Sequence, residues 1–465
     1  MRKTRIICTL GPATDSEEAI SNLIKAGCNV FRLNMSHAPH DWATDLTARI
    51  RKVASELNAH AAVLFDLQGP SIRTGDLPAP FSLKPGDKIE FRQSTAEPKL
   101  EFSTTVNYDD LMKDVVAGKT LVVDNGAILM HIDEALPDRI VCTVMTEGGL
   151  GNRRHINLPG IRLNLPALTE KDFKDLQLAV DNQADFIAGS FVRDSAHVEE
   201  LRSSMEEIGG SAHIVAKIED QEAVKNIDDI IGAADVIMVA RGDLGIEINI
   251  EELPIIQRRI VRRCQKLGKR VIVATQLLES MLENPLPTRA EVTDVANAVF
   301  EEADAIMLSG ETSIGKYPTE CVDILDRISQ RIERSGGLNF AKEAVLRTEK
   351  AHTANAAVTL ANTLPGAAVV VFTRRGRMAN HVGMLRPRSE IFAFAPNNQT
   401  CRRLSLSRGV QAFQMDFFSN PERTINEAVK HLRDKGLVRK GAPLVIVSDV
   451  LQQEMTVDSI LLHHA

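Results

Sequence analysis

Two short motifs contain residues that could bind a divalent metal and oppose negative charge. Lys217 and Glu219 are separated by one residue at the end of an apolar run, and Asp243 ends the next run. Because side chains alternate along a strand, Lys217 and Glu219 share one face, and Glu219 could meet Asp243 across adjacent strands. Two carboxylates with room for water and substrate oxygens suit Mg²⁺, and the amine suits developing negative charge. The competing interpretation is a Lys217 salt bridge that only stabilises the fold.

A second cluster combines arginines with oxygen donors. Arg32 and Arg73 offer fork-shaped sets of N–H donors that fit a phosphoryl group. Asn34, Ser36 and Asp66 supply oxygens with a single negative charge, which match a monovalent cation better than a transition metal. The alternative for Asn34 and Ser36 is ordinary hydrogen bonding at the end of a strand.

Eight repeats of one pattern would position these residues. In each repeat a short apolar run ends in a polar residue and a helical stretch follows; the runs cover residues 5–9, 30–36, 62–68, 186–191, 213–219, 235–243, 270–276 and 305–310. In the first helix, Asp15 and Glu18 could form a capping box, and Gly27 marks the end. Eight strand–helix units predict a (β/α)₈ TIM barrel, whose active site lies at the carboxyl ends of the strands.

Two segments depart from the barrel pattern. Residues 71–165 alternate between apolar and polar positions and are split by Gly, Pro, Asp and Asn, which predicts an inserted all-β lid domain. After a break at Ser335, Gly336 and Gly337, helix and strand alternate again. We therefore expect an α/β protein with a catalytic barrel over 1–70 and 166–335, a β-barrel lid over 71–165, and a C-terminal α/β domain over 336–465 that could bind an effector.

Composition excludes several classes of protein. The 465 residues carry a net charge of -7, which argues against a nucleic-acid binder because phosphate backbones require clustered Lys and Arg. No apolar run approaches the ~20 residues of a membrane helix, so no membrane partner is expected. The start of the chain lacks the apolar segment and cleavage site of a signal peptide. Six cysteines without a CxxC pair are typical of a reduced, cytoplasmic protein.

Eight motifs, in order, resemble those of the pyruvate kinase family. They are TRIICTLGPAT, VFRLNMSH, DLQGPSIRTG, NLPG with LPALTEKD, AKIED, IMVARGDLGIE, ATQLLESM with PTRAEVTDVANAV, and IMLSGET, and they span residue 4 to about residue 318. The resemblance implies transfer of a phosphoryl group from phosphoenolpyruvate to ADP in glycolysis, giving pyruvate and ATP. It also implies Mg²⁺ (or Mn²⁺), a potassium site and a homotetramer.

The resemblance assigns roles to the residues around the reacting groups. The divalent metal would be bound by Glu219 and Asp243. Lys217 would stabilise charge on the phosphoryl group and the enolate. The remaining substrate and proton-transfer positions are Arg32 and Arg73 at the phosphate, Gly242 and Asp243 at the substrate carboxylate, Thr275 near the protonated carbon, and Ser309 in the proton supply.

The resemblance also assigns nucleotide and potassium positions. The nucleotide would be approached by Arg32, Arg73, His37 and Lys171, and potassium would be bound by Asn34, Ser36, Asp66 and the carbonyl of Leu67. The chain has Leu67, Gln68 and Ser71 where the family usually has Thr, Lys and Glu. Ser71 removes a carboxylate near the monovalent site, so we expect appreciable activity without potassium. Ile314 replaces a frequent lysine, which weakens one expected nucleotide contact.

The C-terminal domain resembles the family less closely. A loop similar to one that binds an effector phosphate comprises Thr373, Arg374, Arg375, Gly376 and Arg377, but Met378 stands where that loop has Ser. Residues 451–455 (LQQEM) replace the Gly/Thr-rich effector loop of the family. Activation by fructose 1,6-bisphosphate is therefore not expected, and another phosphorylated effector or none is equally compatible.

Two other functions are compatible with the same motifs. One is a non-catalytic or regulatory paralogue that binds metabolites, which the substitutions at Ser71, Ile314 and Met378 leave open. The other is a different Mg²⁺–enolate barrel enzyme, such as an aldolase or lyase, although such an enzyme needs neither Arg73 nor a lid.

Overall fold

The structure, a computed structural model, describes residues 2–124, 126–452 and 455–465. The chain begins with three parallel strands and two helices: β1 (Arg5–Thr9), α1 (Glu17–Ala26), β2 (Val30–Asn34), α2 (His40–Glu56) and β3 (Ala62–Asp66). Helix α1 begins after Ser16, whose side chain accepts a hydrogen bond from the Ala19 N–H, so the cap predicted at Asp15 is wrong by one residue. Gly27 ends the helix with φ 115°, a left-handed conformation that glycine adopts without strain.

A small all-β domain follows β3. Its elements are β4 (Phe81–Leu83), β5 (Lys88–Arg92), β6 (Phe102–Thr105), α3 (Leu111–Asp114), β7 (Thr120–Val123), β8 (Ile128–Leu136), β9 (Arg139–Val144), β10 (Gly148–Leu150) and β11 (Ile156–Asn157). They form one sheet in the order β11-β7-β8-β9-β5-β6 and a pair β10-β4. The domain has its own apolar core, which includes Phe91, Leu121 and Ile132. This is the inserted domain that the alternating pattern predicts.

The chain then completes the barrel. Its elements are α4 (Glu170–Asp181), β12 (Phe186–Gly189), α5 (Ser195–Glu207), β13 (His213–Ile218), α6 (Gln221–Lys225), α7 (Ile227–Ala233), β14 (Val236–Ala240), α8 (Arg241–Glu247), α9 (Leu253–Leu267), β15 (Arg270–Ala274), α10 (Arg289–Phe300), β16 (Ala305–Leu308), α11 (Gly310–Ser313) and α12 (Pro318–Glu333). The strands pair in parallel in the closed order β1-β16-β15-β14-β13-β12-β3-β2. The predicted (β/α)₈ barrel is thereby confirmed for the part of the chain that the structure describes.

Several barrel strands end earlier than the apolar runs predict. Strand β14 ends at Ala240, and the following RGD triplet opens the short helix α8, so Asp243 lies in the first helical turn and not at a strand end. Strand β15 ends at Ala274, and Thr275 has φ 69°, which cannot continue a strand. Some polar residues of the rim therefore lie within the strands, as Arg32, Asp66 and Lys217 do, and others lie on the turn or helix that follows.

At the opposite end of the barrel, four polar side chains repeat one hydrogen bond on alternate strands. Each directly precedes its strand and accepts from a backbone N–H of the neighbouring strand: Asn29 from Ile6 (3.0 Å), Asp185 from Val63 (3.0 Å), Asp235 from Ile214 (2.9 Å) and Asp304 from Val271 (3.0 Å). An arginine donates to each in turn, namely Arg2, Arg51, Arg202 and Arg386. These bonds satisfy donors that the parallel ladder leaves open at this end.

The last domain consists of α13 (Glu349–Thr363), β17 (Ala368–Phe372), α14 (Arg377–Met384), β18 (Glu390–Ala395), α15 (Asn398–Leu404), β19 (Val410–Gln414), α16 (Pro421–Asp434), β20 (Pro443–Gln452) and β21 (Met455–His464). Its sheet has the order β19-β18-β17-β20-β21, with β21 antiparallel. Two of its arginines contact the side chains that precede barrel strands, which we call strand caps: Arg386 lies 2.8 Å from Asp304, and Arg402 lies 2.9 Å from Asp185. The domain is thus attached to the barrel end opposite the rim. Among the described helices, none has the length and apolar character needed to cross a membrane.

Candidate active site

A cleft of about 340 Å³ lies between the carboxyl ends of the barrel strands and the inserted domain. We call it the rim cleft. It is lined by eight of the residues that the sequence singles out: Arg32, Asn34, Ser36, His37, Arg73, Lys217, Glu219 and Asp243. These residues come from three different segments of the barrel and from the start of the inserted domain. The fold therefore assembles in one place side chains that are distant in sequence.

Lys217 is the most highly coordinated cation of the cleft. Its Nζ lies 2.6 Å from Ser190 Oγ, 2.9 Å from Glu219 Oε1 and 3.4 Å from Asp66 Oδ1. Burial opposes the charge of the amine, but the neighbouring carboxylates of Asp66 and Glu219 outweigh burial and raise the pKa of Lys217 above its usual value. Lys217 is therefore a permanently charged ammonium at neutral pH.

Asp66 connects this ammonium to Arg32. Its Oδ2 accepts a hydrogen bond from Arg32 Nε at 2.6 Å, and Arg32 Nη1 donates to Thr9 Oγ1 at 3.0 Å. Burial alone would raise the pKa of Asp66, but the charges of Lys217 and Arg32 keep it below the usual value. One buried carboxylate thus orients two cations at the rim.

Glu219 and Asp243 form a carboxylate pair that fits a divalent cation. Glu219 Oε2 accepts from the Phe191 N–H at 2.5 Å. Burial, with a further contribution from Asp243, raises the pKa of Glu219 to about 7, and Lys217 opposes that rise. Asp243 makes no hydrogen bond or ion pair to any residue that the structure describes. Two neighbouring carboxylates, of which Asp243 has no partner among the described residues, suit Mg²⁺, which takes few protein ligands and keeps several waters.

The residues of the described ranges do not supply a complete protein cage for a metal, since no group of three His, Cys, Asp or Glu side chains converges there. A metal held by Glu219 and Asp243 would therefore need further oxygens from water or substrate. Such an open coordination sphere is what Mg²⁺ uses when it binds phosphate-bearing ligands.

Arg73 lies at the junction with the inserted domain. Its Nε donates to Ser71 Oγ at 3.1 Å, and its Nη1 donates to the carbonyl of Arg153 at 3.1 Å. The residue that replaces the usual glutamate thus gives Arg73 a neutral partner. A glutamate at that position could have formed an ion pair with Arg73, so the guanidinium keeps more of its charge for a ligand.

Thr275, Gly242 and Ser309 lie beside the cleft and do not line it. Thr275 Oγ1 accepts from the Gly242 N–H at 2.8 Å and donates to the carbonyl of Ala274 at 2.7 Å. Ser309 precedes α11, and its N–H donates to Glu311 Oε2 at 2.8 Å. Thr275 is therefore linked to the residue next to Asp243 through its bond to Gly242. Ser309 makes no direct hydrogen bond to the charged residues of the cleft within the described part of the chain.

Of the four predicted potassium ligands, Asn34, Asp66 and the Leu67 carbonyl already have partners for their oxygens. Asn34 Oδ1 accepts from the Ser36 N–H at 3.3 Å, and the Leu67 carbonyl accepts from Ser190 Oγ at 2.8 Å. The carboxylate of Asp66 faces Arg32 and Lys217. Because two protein cations already balance that carboxylate, the set attracts a further monovalent cation less strongly than a free carboxylate would.

Lys171 does not line the rim cleft, and its contact with the nucleotide stays a prediction. Its Nζ donates to the Met35 carbonyl at 2.6 Å and pairs with Asp175, four residues further along α4, at 2.5 Å. His37 does line the cleft and is exposed.

The analysis of the sequence did not name several residues of the cleft, among them Arg153, Arg154, His155 and Ser190. The first three form a basic run just before β11, and that run was an available signal. Ser190 directly follows β12, which with β1 is one of two barrel strands for which no polar residue at the rim was named. Counting one polar residue for every barrel strand would have found it.

The candidate effector loop lies between β17 and α14. Thr373 is buried, the Arg374 guanidinium lies 5.9 Å from the ring centre of Phe417, and Gly376 has φ 79° before the helix. Met378 is buried in the core of the domain and so cannot replace a serine hydroxyl toward a ligand. The segment 451–455 includes residues 453 and 454, which lie outside the described residues.

Known proteins resemble this chain along nearly its whole length. The model of the pyruvate kinase barrel domain matches residues 1–322, and that of the pyruvate kinase alpha/beta domain matches residues 351–463. Pyruvate kinase isozyme G of Nicotiana tabacum, a chloroplastic protein, is 41% identical over 97% of this chain and 81% of its own length. The pyruvate kinase of Clostridium acetobutylicum is 38% identical over 97% of this chain and 96% of its own length.

A solved structure agrees with this relationship. A pyruvate kinase from Cryptosporidium parvum superimposes with a TM-score of 0.93 at 32% identity, covering 99% of this chain and 96% of the other. The matched domains, the full-length relatives and the assembled cleft point to the same family. The chain belongs to the pyruvate kinase family.

Proposed function

We propose that this protein transfers the phosphoryl group of phosphoenolpyruvate to ADP in glycolysis, giving pyruvate and ATP. One observation carries the proposal: the Lys217 ammonium is fixed between Asp66 and Glu219, beside Arg32, in a cleft that Arg73 also lines. Phosphoryl transfer asks a protein mainly for positioning and for neutralisation of charge, and these side chains supply both.

In this proposal the arginines bind the phosphoryl group, and the lysine stabilises the negative charge that develops during the reaction. Arg32 and Arg73 hold the phosphoryl group, and Lys217 opposes the charge that grows on that group and on the enolate. Glu219 and Asp243 would hold Mg²⁺ (or Mn²⁺), which neutralises phosphate charge when bound. The amide of Gly242, with Asp243, would orient the substrate carboxylate.

The enolate that remains needs a proton on carbon. We assign Thr275 to the region of that carbon, because its hydroxyl is fixed by Gly242 and Ala274 directly beside Asp243. Ser309 stays a prediction as a member of the proton supply. A hydroxyl held in this way can donate a proton or orient a water that does.

We assign the nucleotide to the side of the rim cleft that His37, Arg73, Arg153 and Arg154 line. Arg153 and Arg154 belong to the inserted domain, so movement of that domain would bring positive charge to the nucleotide phosphates. Closure would also exclude the water that could hydrolyse the substrate. Lys171 stays a prediction as a further nucleotide contact.

Several expectations stay proposals beside this function. They are the domain limits 1–70 with 166–335, 71–165 and 336–465, a homotetramer, a cytoplasmic location, a potassium site at Asn34, Ser36, Asp66 and Leu67, and a phosphorylated effector at residues 373–377. The buried, unpaired cysteines of the described residues support a reducing compartment.

The deciding experiment measures pyruvate formation by purified protein with phosphoenolpyruvate, ADP and Mg²⁺. We expect turnover that requires both ADP and the metal. Binding of substrate without turnover by folded protein would favour a non-catalytic paralogue. Consumption of phosphoenolpyruvate without ADP, or cleavage of a carbon–carbon bond, would favour another Mg²⁺–enolate enzyme.

A further inference from the structure

The hydroxyl of Ser190, which lines the rim cleft, makes hydrogen bonds to two neighbouring groups. It directly follows β12, is 6% exposed, and lies between the ammonium of Lys217 and the carbonyl of Leu67. Its Oγ is 2.6 Å from Lys217 Nζ and 2.8 Å from the Leu67 oxygen. A buried hydroxyl with two short hydrogen bonds has a fixed orientation.

The direction of these bonds follows from counting protons. A serine hydroxyl has one proton, and a carbonyl oxygen can only accept, so Ser190 donates to Leu67. Its oxygen must then accept from Lys217, which can only donate. The Asp66 Oδ1 atom lies 3.5 Å from Ser190 Oγ, too far to compete for the proton. The chain of bonds therefore runs from Lys217 through Ser190 to the end of strand β3.

The other two partners of Lys217 are carboxylates. Glu219 Oε1 and Asp66 Oδ1 attract the ammonium strongly, and a metal or substrate that drew Glu219 away would change the balance between them. Ser190 adds no charge, so it directs the ammonium without weakening its field. The hydrogen bond from Ser190 to the Leu67 carbonyl fixes the position of the ammonium relative to the barrel backbone.

We propose that Ser190 is a positioning residue that holds the Lys217 ammonium where negative charge develops on the substrate. The inference rests on the proposed function. A displacement of about 1 Å can cost on the order of 100-fold in rate, since a charge acts in the transition state only when it is aligned. Ser190 need not touch the substrate to have this effect.

The test compares Ser190→Ala, Ser190→Cys and Ser190→Thr with wild type. The Ala and Cys variants should lower kcat by about 10- to 100-fold, while KM for phosphoenolpyruvate and ADP stays within about twofold. Ser190→Thr keeps the hydroxyl and should recover most of kcat. Ser190→Cys keeps the volume of the side chain, so it preserves the fold if Ser190→Ala does not.

Ser329→Ala is the matched control. Ser329 is fully buried in α12, away from the rim cleft, and its hydroxyl has no hydrogen-bond partner among the described residues. Its removal should leave kcat unchanged and show what the loss of a buried serine alone does to thermal unfolding. The Ser190 variants should differ from it in kcat and not merely in Tm.

Three results would overturn the role. One is a kcat within twofold of wild type in both Ser190→Ala and Ser190→Cys. Another is a loss that Ser190→Thr does not recover. The last is a defect that disappears at saturating potassium, because the hydroxyl would then act through the Leu67 carbonyl and not through Lys217. An inactive wild type would overturn the proposed function itself, which an active wild type with an unaffected variant would not.

Discussion

Asp66 accepts a hydrogen bond of 2.6 Å from Arg32, and its other carboxylate oxygen lies 3.4 Å from the Lys217 ammonium. The two cations that face the substrate side of the cleft therefore share one buried counterion. Asp66 is 1% exposed, so water cannot replace it. The orientation of both cations depends on this carboxylate.

Replacement of Asp66 by Asn should destabilise the protein strongly. The change leaves two buried cations short of negative charge, and removal of one partner from a buried ion pair costs about 3–5 kcal/mol. Chemical denaturation would measure the loss in the free energy of unfolding. Asp76→Asn is the control, because the Asp76–Arg153 pair is exposed and should contribute less than about 1 kcal/mol. Equal losses in the two variants would contradict the coupling of Asp66 to both cations.

Lys217→Met should reduce turnover far more than it weakens binding of phosphoenolpyruvate. Loss of one preorganised charge that acts in the transition state typically costs about 100- to 1000-fold in kcat. Steady-state kinetics gives kcat and KM, and a direct binding measurement separates affinity from turnover. Lys52→Met, on the outer face of α2, serves as the control. Parallel losses in binding and kcat would show that Lys217 only binds the substrate.

The enzyme should show appreciable activity without potassium. Ser71 gives Arg73 a neutral partner, and the carboxylate of Asp66 is already balanced by protein cations. Initial rates in buffer free of sodium and potassium, with and without added potassium, test this expectation. Ser71→Glu should increase the stimulation by potassium. A rate near zero that potassium restores in the wild type would refute the prediction.

Stability should fall as the pH drops below about 6.5. Burial, together with the charge of Arg270, lowers the pKa of His213 to about 3, and His213 Nδ1 faces Arg270 Nη2 at 2.8 Å. The folded imidazole therefore stays neutral while the unfolded one takes up a proton. The contribution of His213 to the free energy of unfolding is fully present above pH 6.5 and is lost as the pH falls toward 3. At pH 5 the loss is roughly 2 kcal/mol.

His213→Gln tests this origin of the pH dependence. Glutamine keeps an acceptor for Arg270 but does not titrate, so the difference in unfolding free energy between pH 7 and pH 5 should shrink by roughly 2 kcal/mol. Urea denaturation at the two pH values provides the measurement. An unchanged pH slope in the variant would assign the effect to another group.

The barrel was predictable because each strand is a short apolar run followed by a helix. The ends of the strands were less predictable. The run that contains Arg241 and Asp243 reads as one strand, yet Arg241 turns away to pair with Asp294 at 2.7 Å and to bind the Thr275 carbonyl. That contact spans more than thirty residues in sequence, which no local pattern reveals.

The site was predictable where residues share one strand and less so where it depends on distant contacts. The alternation of side chains along a strand predicts that Lys217 and Glu219 lie on the same face. The ion pair of Lys171 with Asp175, four residues further along the same helix, has a spacing that favours local pairs. Arg153 and Arg154 reach the cleft through strand pairings of the inserted domain, and these cannot be read from the sequence.

Through Asp185 and Asp304, the C-terminal domain has a structural role that does not depend on any bound effector. Each cap holds a barrel strand with one bond and an arginine of that domain with another. Deleting the domain would remove the Arg386 guanidinium from Asp304 and expose this end of the barrel to water. Whichever molecules the C-terminal domain binds, its two arginines therefore contribute to the stability of the catalytic barrel.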